Sequence, residues 1–489
     1  MSAWWGYYWV VAMLLYALLA RLPALQRSPQ VAAGWAAHGL ALLIPLSFYA
    51  LLYHPVLEAW WMFDDPALLH YVHRANPLQG FYDPTVKLPF YTPWLGLSYA
   101  VDYYLFDLEH QFYYAHHLLS FMVALVLLYV LLRLSLTPWL ASMGLLLFLA
   151  NAPVAQVSQF LMTRHYLEGL SFTLLALLAY LRAQREQRLS WALVGALCYA
   201  LAATTKEIYL PLPLILLLLA GRDWRARLPL LIPFAVVALA YVPLRFYMLG
   251  GATLSTIYSE GHTGWTEILQ LPWIYAQQMG WTAPWQWGLA ALAWLGVLGL
   301  LWRAPRRLGW PLLVWTLVLW LPLLPILWRI PRYHFTYYLF LPALLTAVAW
   351  VWMLGEWMLR YPRWRQTLGG LGFALLLAAN FSALAQEQKR LAGDLEGYRE
   401  QGQFLIYHRS QDPEVLIYPT YAIKYLLFMR DVLLPEHGIQ TGNLGHCAEV
   451  NCLCQLTYAG QTAWFYQKGT WQQKQLPTEV PAHCATPKP

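Results

Sequence analysis

A chain of 489 residues that is 60% hydrophobic and only 11% charged carries more apolar side chain than one water-soluble core can hide, which excludes an ordinary soluble globular protein. The formal net charge of +7 comes from bases set between apolar runs, a pattern of membrane anchoring rather than of a nucleic-acid-binding face. The 27 tryptophans and 33 tyrosines fit many helix ends lying at lipid headgroups.

In chain order, apolar stretches able to cross the hydrocarbon as helices are predicted at 4–20, 35–53, 112–132, 137–152, 167–181, 190–204, 207–221, 228–249, 286–302, 309–328, 333–354 and 367–385. The first has no basic n-region and opens on Trp4, Trp5, Tyr7 and Tyr8, so it reads as a span with an interfacial belt rather than a signal peptide. The stretch 207–221 is short and holds Pro211 and Pro213, which predicts a broken or tilted span whose freed backbone groups face protein. Cys198, in the stretch 190–204, reads as a small apolar packing residue.

The loops predict an orientation. With the N-terminus outside, the short inner connections hold Arg21 and Arg27, Arg133, Arg182, Arg185 and Arg188, Arg222, Arg225 and Arg227, Arg303, Arg306 and Arg307, and Arg360, Arg363 and Arg365. The opposite connections are longer and poorer in bases, with Arg74, Lys87, Arg164, Lys206, Arg245, Arg329 and Arg332. Arginine follows the cytoplasmic side, so both termini are expected on the periplasmic face of a bacterial inner membrane. Three outer regions follow: residues 54–111, residues 250–285, and the tail from 386 on.

The expected fold class is therefore an all-α polytopic membrane protein of about twelve transmembrane helices, with a small α/β periplasmic domain at the C-terminus. The domains divide as a membrane core over 1–385 and a tail over 386–489. The tail begins as a polar helix-like stretch, Gln386 to Arg409, and continues into the β-prone run Glu414 to Tyr418 and a helical pattern from Ala422 to Leu433. It also holds Cys447, Cys452, Cys454 and Cys484, which in an exported segment point to disulfides; a zinc site using His446 or His483 is the rival reading.

Charges at a membrane edge are costly and so are candidates for chemistry. Phe63-Asp64-Asp65-Pro66 stands in the first outer loop. Adjacent carboxylates repel, and one held in reduced dielectric can serve as a general base toward an acceptor hydroxyl. The structural alternative is a helix cap at Asp65-Pro66, which leaves Asp64 to work. Thr204-Thr205-Lys206-Glu207 ends a span, where Lys206 suits a phosphate as a point charge or else pairs with Glu207. Thr163-Arg164-His165-Tyr166-Leu167-Glu168-Gly169 and Arg329-Ile330-Pro331-Arg332-Tyr333-His334 add arginines suited to phosphate and histidines able to move a proton; singly, each also reads as an interfacial anchor. All lie on the same predicted face. Trp60, Trp61, Tyr91, Trp94, Trp281 and Trp285 suit sugar stacking as well as an interfacial belt.

Over roughly residues 35 to 385 these features resemble the C-type integral-membrane glycosyltransferases, the superfamily of protein O-mannosyltransferases and of bacterial aminoarabinose and pilin glycosyltransferases. The resemblance rests on Asp64-Asp65 in the first large outer loop, on Lys206-Glu207 leading into a proline-containing span, on Arg332-Tyr333 opening a late span, and on an exported tail. It implies an inverting transfer from a polyprenyl-phosphate sugar to a glycan, lipid or protein acceptor. Asp64 or Asp65 is then the base, with Asp64 favoured. Lys206 and Arg332 contact the donor phosphate, and Arg164, His165, Arg329 and His334 join by position and chemistry. An extra span before the acidic loop departs from the family pattern. Family members differ in their use of a divalent metal; with one acidic pair visible, no metal and no other cofactor is expected. The alternatives are a ligase or polymerase using a lipid-diphosphate donor, a secondary transporter, and a non-catalytic membrane scaffold.

Overall fold

In the computed structural model the described residues are 35–86, 90–218, 224–251, 264–279, 335–360 and 363–409, with isolated positions between 280 and 334 and short segments beyond 415. The chain divides into two compact units. The first takes Met1–Val56, Tyr82–Leu95 and Ala115–Leu391; the second takes Leu57–Phe81, Gly96–Tyr114 and Ala392–Pro489.

The described helices run α1 (Trp35–Tyr53), α2 (Asp65–Arg74), α3 (Pro93–Phe106), α4 (His110–Arg133), α5 (Pro138–Leu149), α6 (Ala152–Gln159), α7 (Arg164–Glu186), α8 (Leu189–Thr205), α9 (Leu212–Leu218), α10 (Trp224–Met248), α11 (Trp265–Leu269), α12 (Leu271–Gln278), α13 (Phe340–Arg360) and α14 (Arg363–Arg409). Among the described residues, four segments are long and apolar enough to cross a membrane: Ala37–Glu58, His110–Arg133, Leu161–Glu186 and Arg225–Met248. The pair α5 and α6, bent by 73°, makes up a fifth if counted as one broken span. With the shorter apolar helices Leu189–Thr205, Glu207–Leu217 and Thr336–Trp352 beside them, this is a multi-pass membrane protein. The predicted spans at 4–20, 286–302 and 309–328 lie outside the described residues, apart from isolated positions.

Each irregularity has a local cause. At the bend, Asn151 turns its amide Nδ2 back onto the carbonyls of Leu147 (2.6 Å) and Phe148 (3.1 Å), closing the end of α5, and Pro153 starts α6 where no N–H is needed. The predicted break near Pro211 and Pro213 is present: a 3-10 turn over Glu207–Tyr209 precedes α9. There the Leu210 carbonyl accepts a hydrogen bond from the Tyr199 hydroxyl at 2.7 Å, so the freed backbone group is satisfied by protein.

Packing within the first unit relies on small residues where helices meet. Gly195 on α8 leaves so little room that a Cβ there would lie 2.7 Å from the Phe234 ring of α10 and 3.0 Å from the Ala176 carbonyl of α7. Ala176, Ala192 and Ala196 line the same seam, with Tyr180, Tyr199 and Phe234 filling it; Cys198 packs against its edge, as an apolar residue would. A second group of aromatic rings joins α1, α4, α5 and α13 through Tyr49–Phe121 (4.9 Å), Phe121–Phe148 (6.0 Å) and Phe148–Phe340 (5.3 Å). Arg133, expected as a loop anchor, is buried; its guanidinium reaches the Leu136 carbonyl and lies 3.4 Å from His38 Nδ1.

The stretch 367–385 and the polar stretch 386–409 form one helix of 47 residues. At 1.5 Å per residue that is about 70 Å, far more than the ~30 Å hydrocarbon layer. Near its middle, Glu387 and Gln388 accept hydrogen bonds from Gln156 (2.9 Å) and Gln159 (2.8 Å) of α6. Beyond it, the tail carries a sheet of β1 (Val415–Tyr418), β2 (Leu444–His446), β3 (Thr462–Gln467) and β4 (Thr470–Gln475) in the order β2-β1-β3-β4. β1 runs parallel to both neighbours, and β3 with β4 forms an antiparallel hairpin. Cys447, Cys452, Cys454, Cys484 and His483 lie outside the described residues.

Candidate functional site

In the second unit the acidic pair is split by its backbone. Phe63 takes a left-handed conformation (φ 51°), which a bulky residue rarely adopts and which costs roughly 1–3 kcal/mol unless the surroundings enforce it. The turn it makes sends Asp65 inward. Asp65 is fully buried; its Oδ1 accepts from the Tyr99 hydroxyl at 2.7 Å and its Oδ2 from the Met62 N–H at 3.0 Å. Asp65 therefore holds the turn and the start of α2. Asp64 occupies the N-cap position but makes no side-chain cap bond, and it is exposed. The cap expected of Asp65 is thus replaced by a buried carboxylate that ties the turn to α3. Trp61 is core, packed 4.8 Å from Tyr113, and Trp60 lies 5.3 Å from His110 with its carbonyl accepting from Tyr114.

In the first unit a polar cluster forms where one end of α7 meets the far end of its antiparallel partner α8. Gly169 makes that meeting possible: a Cβ there would fall 2.2 Å from Thr205 Oγ1 and 2.3 Å from the Tyr209 ring. Glu168 and Lys206 are the chain neighbours of this contact pair, so the same close approach brings their backbones together. Lys206 follows the last residue of α8 in an extended conformation. Its ammonium lies 4.7 Å from the centre of the Phe90 ring, a cation–π contact, and has no carboxylate partner among the described residues. Glu207, expected as its alternative partner, faces Arg245 of α10 instead, at 3.8 Å. His165, nine-tenths buried, makes no well-formed hydrogen bond from either ring nitrogen among the described residues, and Lys206 is near enough to act on it electrostatically.

A turn along α7 from His165, Glu168 accepts from the Trp94 indole N–H at 2.9 Å and faces His116 Nε2 of α4 at 3.6 Å. Arg164, fully buried, lies 3.3 Å from His116 Nδ1. The segment between Phe90 and Trp94 crosses this whole cluster: Phe90 at Lys206, Tyr91 at Tyr241 of α10 (5.7 Å), and Trp94 at Glu168 and Phe172 (4.9 Å). Burial pushes the Tyr91 phenol up to about 12, so it keeps its proton at neutral pH.

The structure thus brings Lys206, His165 and Arg164 into one unit, and it places Asp64 and Asp65 in the other. Arg329, Arg332 and His334, with Trp281 and Trp285, lie outside the described residues. Sequence reasoning gave no site role to His116, Glu168, Arg245 or Phe90, although Glu168 stands in the Thr163–Gly169 stretch and Arg245 among the outer bases. Only Glu168 left a signal, its spacing of four from Arg164 on one helix face. Among the described residues no group of three or more histidine, cysteine, aspartate or glutamate side chains is placed to hold a metal. Asp65 is fully buried, and both of its carboxylate oxygens accept hydrogen bonds inside the fold.

No protein-family model matches the sequence, and no curated protein matches it. Among solved structures, the chain is similar to the oligosaccharyltransferase of Archaeoglobus fulgidus in its complex with zinc and sulfate, at 14% identity over 79% of this chain and 61% of that one, with a TM-score of 0.41. The apo form of that enzyme gives 13% identity, 81% and 63% coverage and a TM-score of 0.49. ArnT from Cupriavidus metallidurans bound to undecaprenyl phosphate gives 17% identity, 89% and 93% coverage and a TM-score of 0.47. The chain spans less than two thirds of the length of the oligosaccharyltransferase structures it matches.

Proposed function

We propose that the protein transfers a sugar from a polyprenyl-phosphate donor to an acceptor hydroxyl, with inversion, on the periplasmic face of a bacterial inner membrane. The observation that carries this reading is the state of Lys206. A half-buried ammonium at the end of an apolar helix is costly to hold without a counter-charge. Among the described residues Lys206 meets no carboxylate, since its neighbour Glu207 is engaged by Arg245, and it sits with a buried histidine whose nitrogens make no well-formed bond there. A lipid-linked phosphate would supply the missing charge and the missing acceptors at once.

In this reading Lys206 and His165 contact the donor phosphate, with Arg329, Arg332 and His334 joining from the late outer connection and Arg164 supporting from behind. Asp64, exposed beside the strained Phe63 turn, is the base. It takes the proton from the acceptor hydroxyl as the oxygen forms a bond to the anomeric carbon. The bond from that carbon to the phosphate oxygen breaks, and its electron pair leaves with the phosphate, where fixed cations stabilise the charge. No step requires a metal. The C-terminal tail is a periplasmic domain from residue 386 on, with its cysteines paired as disulfides.

The test is transfer from a panel of polyprenyl-phosphate sugars to membrane acceptors by the full chain. Lys206→Ala is expected to weaken donor binding by roughly tenfold or more, the scale of a lost charge-assisted hydrogen bond. Asp64→Asn is expected to abolish transfer and leave donor binding intact. A folded wild-type protein that consumes no donor across the panel overturns the proposal.

A further inference from the structure

Lys206 and Glu207 are adjacent and opposite in charge, yet the Glu207 carboxylate turns to Arg245 Nη2, at 3.8 Å, and not to the ammonium beside it. The backbone of both residues is fixed. The Lys206 N–H bonds the Ala202 carbonyl at 3.3 Å, the Lys206 carbonyl accepts from the Tyr209 N–H at 3.2 Å, and the Glu207 carbonyl accepts from the Leu210 N–H at 3.0 Å. Which cation the carboxylate meets is therefore decided by side chains alone. Lysine carries its charge on a flexible four-carbon stem, so a Glu207 not held elsewhere has a partner within reach. Helix α10 makes the choice. Tyr241, Met248 and Leu249 form its buried stripe, and Arg245 stands on that stripe one turn from Tyr241, while Val242, Leu244 and Phe246 are exposed. Tyr241 in turn packs on Tyr91 at 5.7 Å, which sets the stripe against the Phe90–Trp94 segment. The Arg245 and Glu207 side chains are only 14% and 15% exposed. Their contact is too long for a formed hydrogen bond, but so far from water an ion pair at this distance is strong enough to fix the direction of the carboxylate.

The consequence falls on Lys206. A carboxylate bound to its ammonium would cancel the charge and compete with any phosphate for the same donors. With Glu207 held on the α10 side, the ammonium rests over the Phe90 ring at 4.7 Å, a neutral neighbour that an anion does not have to displace. We infer that Arg245 is a positioning residue of the donor site: it holds Glu207 away from Lys206 and so keeps that ammonium for the donor phosphate. Arg245 acts through Glu207 and not by touching the lipid. The inference rests on the donor reading given above and adds to it the residue that keeps the adjacent carboxylate off its central cation.

The experiment measures binding of undecaprenyl phosphate to the full-length protein in nanodiscs, with the unfolding midpoint followed beside it. Arg245→Met keeps a long side chain and removes the charge; it is expected to weaken binding roughly tenfold. Arg245→Lys returns a cation to Glu207 and is expected to bind within about threefold of wild type. The deciding measurement is a double-mutant cycle with Glu207→Gln. That substitution is expected to improve binding roughly tenfold in the Arg245→Met protein and no more than about threefold in the wild type. The double variant leaves no lone buried charge behind, so it tests the inference even where Arg245→Met alone lowers the midpoint. An equal effect of Glu207→Gln in both backgrounds overturns the inference, as does full binding by a folded Arg245→Met protein. A loss that persists in the folded double variant also overturns it, and makes Arg245 either a direct phosphate ligand or a packing residue. A wild type that binds no undecaprenyl phosphate overturns the donor reading, and this inference falls with it.

Discussion

Asp64 and Asp65 are chemically identical and adjacent, and the backbone gives them different work. The left-handed Phe63 rotates the chain so that one carboxylate is enclosed by Tyr99 and the Met62 N–H while the other stays at the surface. A buried carboxylate that accepts two hydrogen bonds is structural, because losing its charge leaves donors of the fold poorly matched. Asp65→Asn is therefore expected to destabilise the protein by about 1–3 kcal/mol, with the cost falling on the α2–α3 region. Thermal unfolding in detergent, followed beside transfer activity, separates the two carboxylates. Asp65→Asn lowers the midpoint, and Asp64→Asn leaves it in place. A reversed pattern removes the assignment of Asp64 as base. The sequence made the pair visible, but only the φ of Phe63 tells which member faces out. No propensity scale predicts a left-handed phenylalanine.

At the scale of elements, the site depends on how closely α7 and α8 approach. Gly169 has neither a positive φ nor a turn to serve; its role is the absence of a side chain where Thr205 and the Tyr209 ring come within contact. The Tyr209 ring cannot yield easily, since its hydroxyl bonds the Tyr166 carbonyl. Gly169→Ala is expected to force the helices apart at the end that carries Lys206, at a cost of roughly 1–3 kcal/mol. Its signature is a lowered unfolding midpoint together with weakened donor-lipid binding, whereas Gly370→Ala, in a helix with open space for a Cβ, lowers neither. Intact binding in a destabilised Gly169→Ala protein detaches this contact from the site. The apolar stretches that became α1, α4, α7 and α10 were legible because a helix in lipid is hydrophobic on every side, so length alone identifies it. The break at Pro211 and Pro213 was legible for the same kind of reason. The Glu168 cluster was not, because its members come from α3, α4 and α7, and Trp94 precedes its partner by 74 positions.

Across the first unit, charge is sorted by helix end. The α7–α8 hairpin turns at Gln187, itself left-handed (φ 52°), and around that turn stand Arg182, Arg185 and Arg188. Arg182 stacks 3.9 Å over Trp191 and pairs with Glu186 at 2.8 Å, the arrangement of an interfacial anchor. Arg164, His165 and Lys206 occupy the opposite end of the same two helices. Helix α7, 23 residues long, reaches about 35 Å, enough to separate the ends by a full hydrocarbon layer. Since arginine-rich short turns follow the cytoplasmic side, the Gln187 turn is expected inside and the Lys206 end outside. Two exposed positions of this unit test the orientation, Gln187 in the turn and Tyr82 in the outer loop. Single cysteines are placed at each in a cysteine-free background and probed in intact cells with a membrane-impermeant maleimide. Tyr82→Cys is expected to label at once and Gln187→Cys only after the membrane is permeabilised. The opposite pattern puts Lys206 in the cytoplasm and removes the periplasmic transfer, because the donor phosphate would then have to be held on the other leaflet.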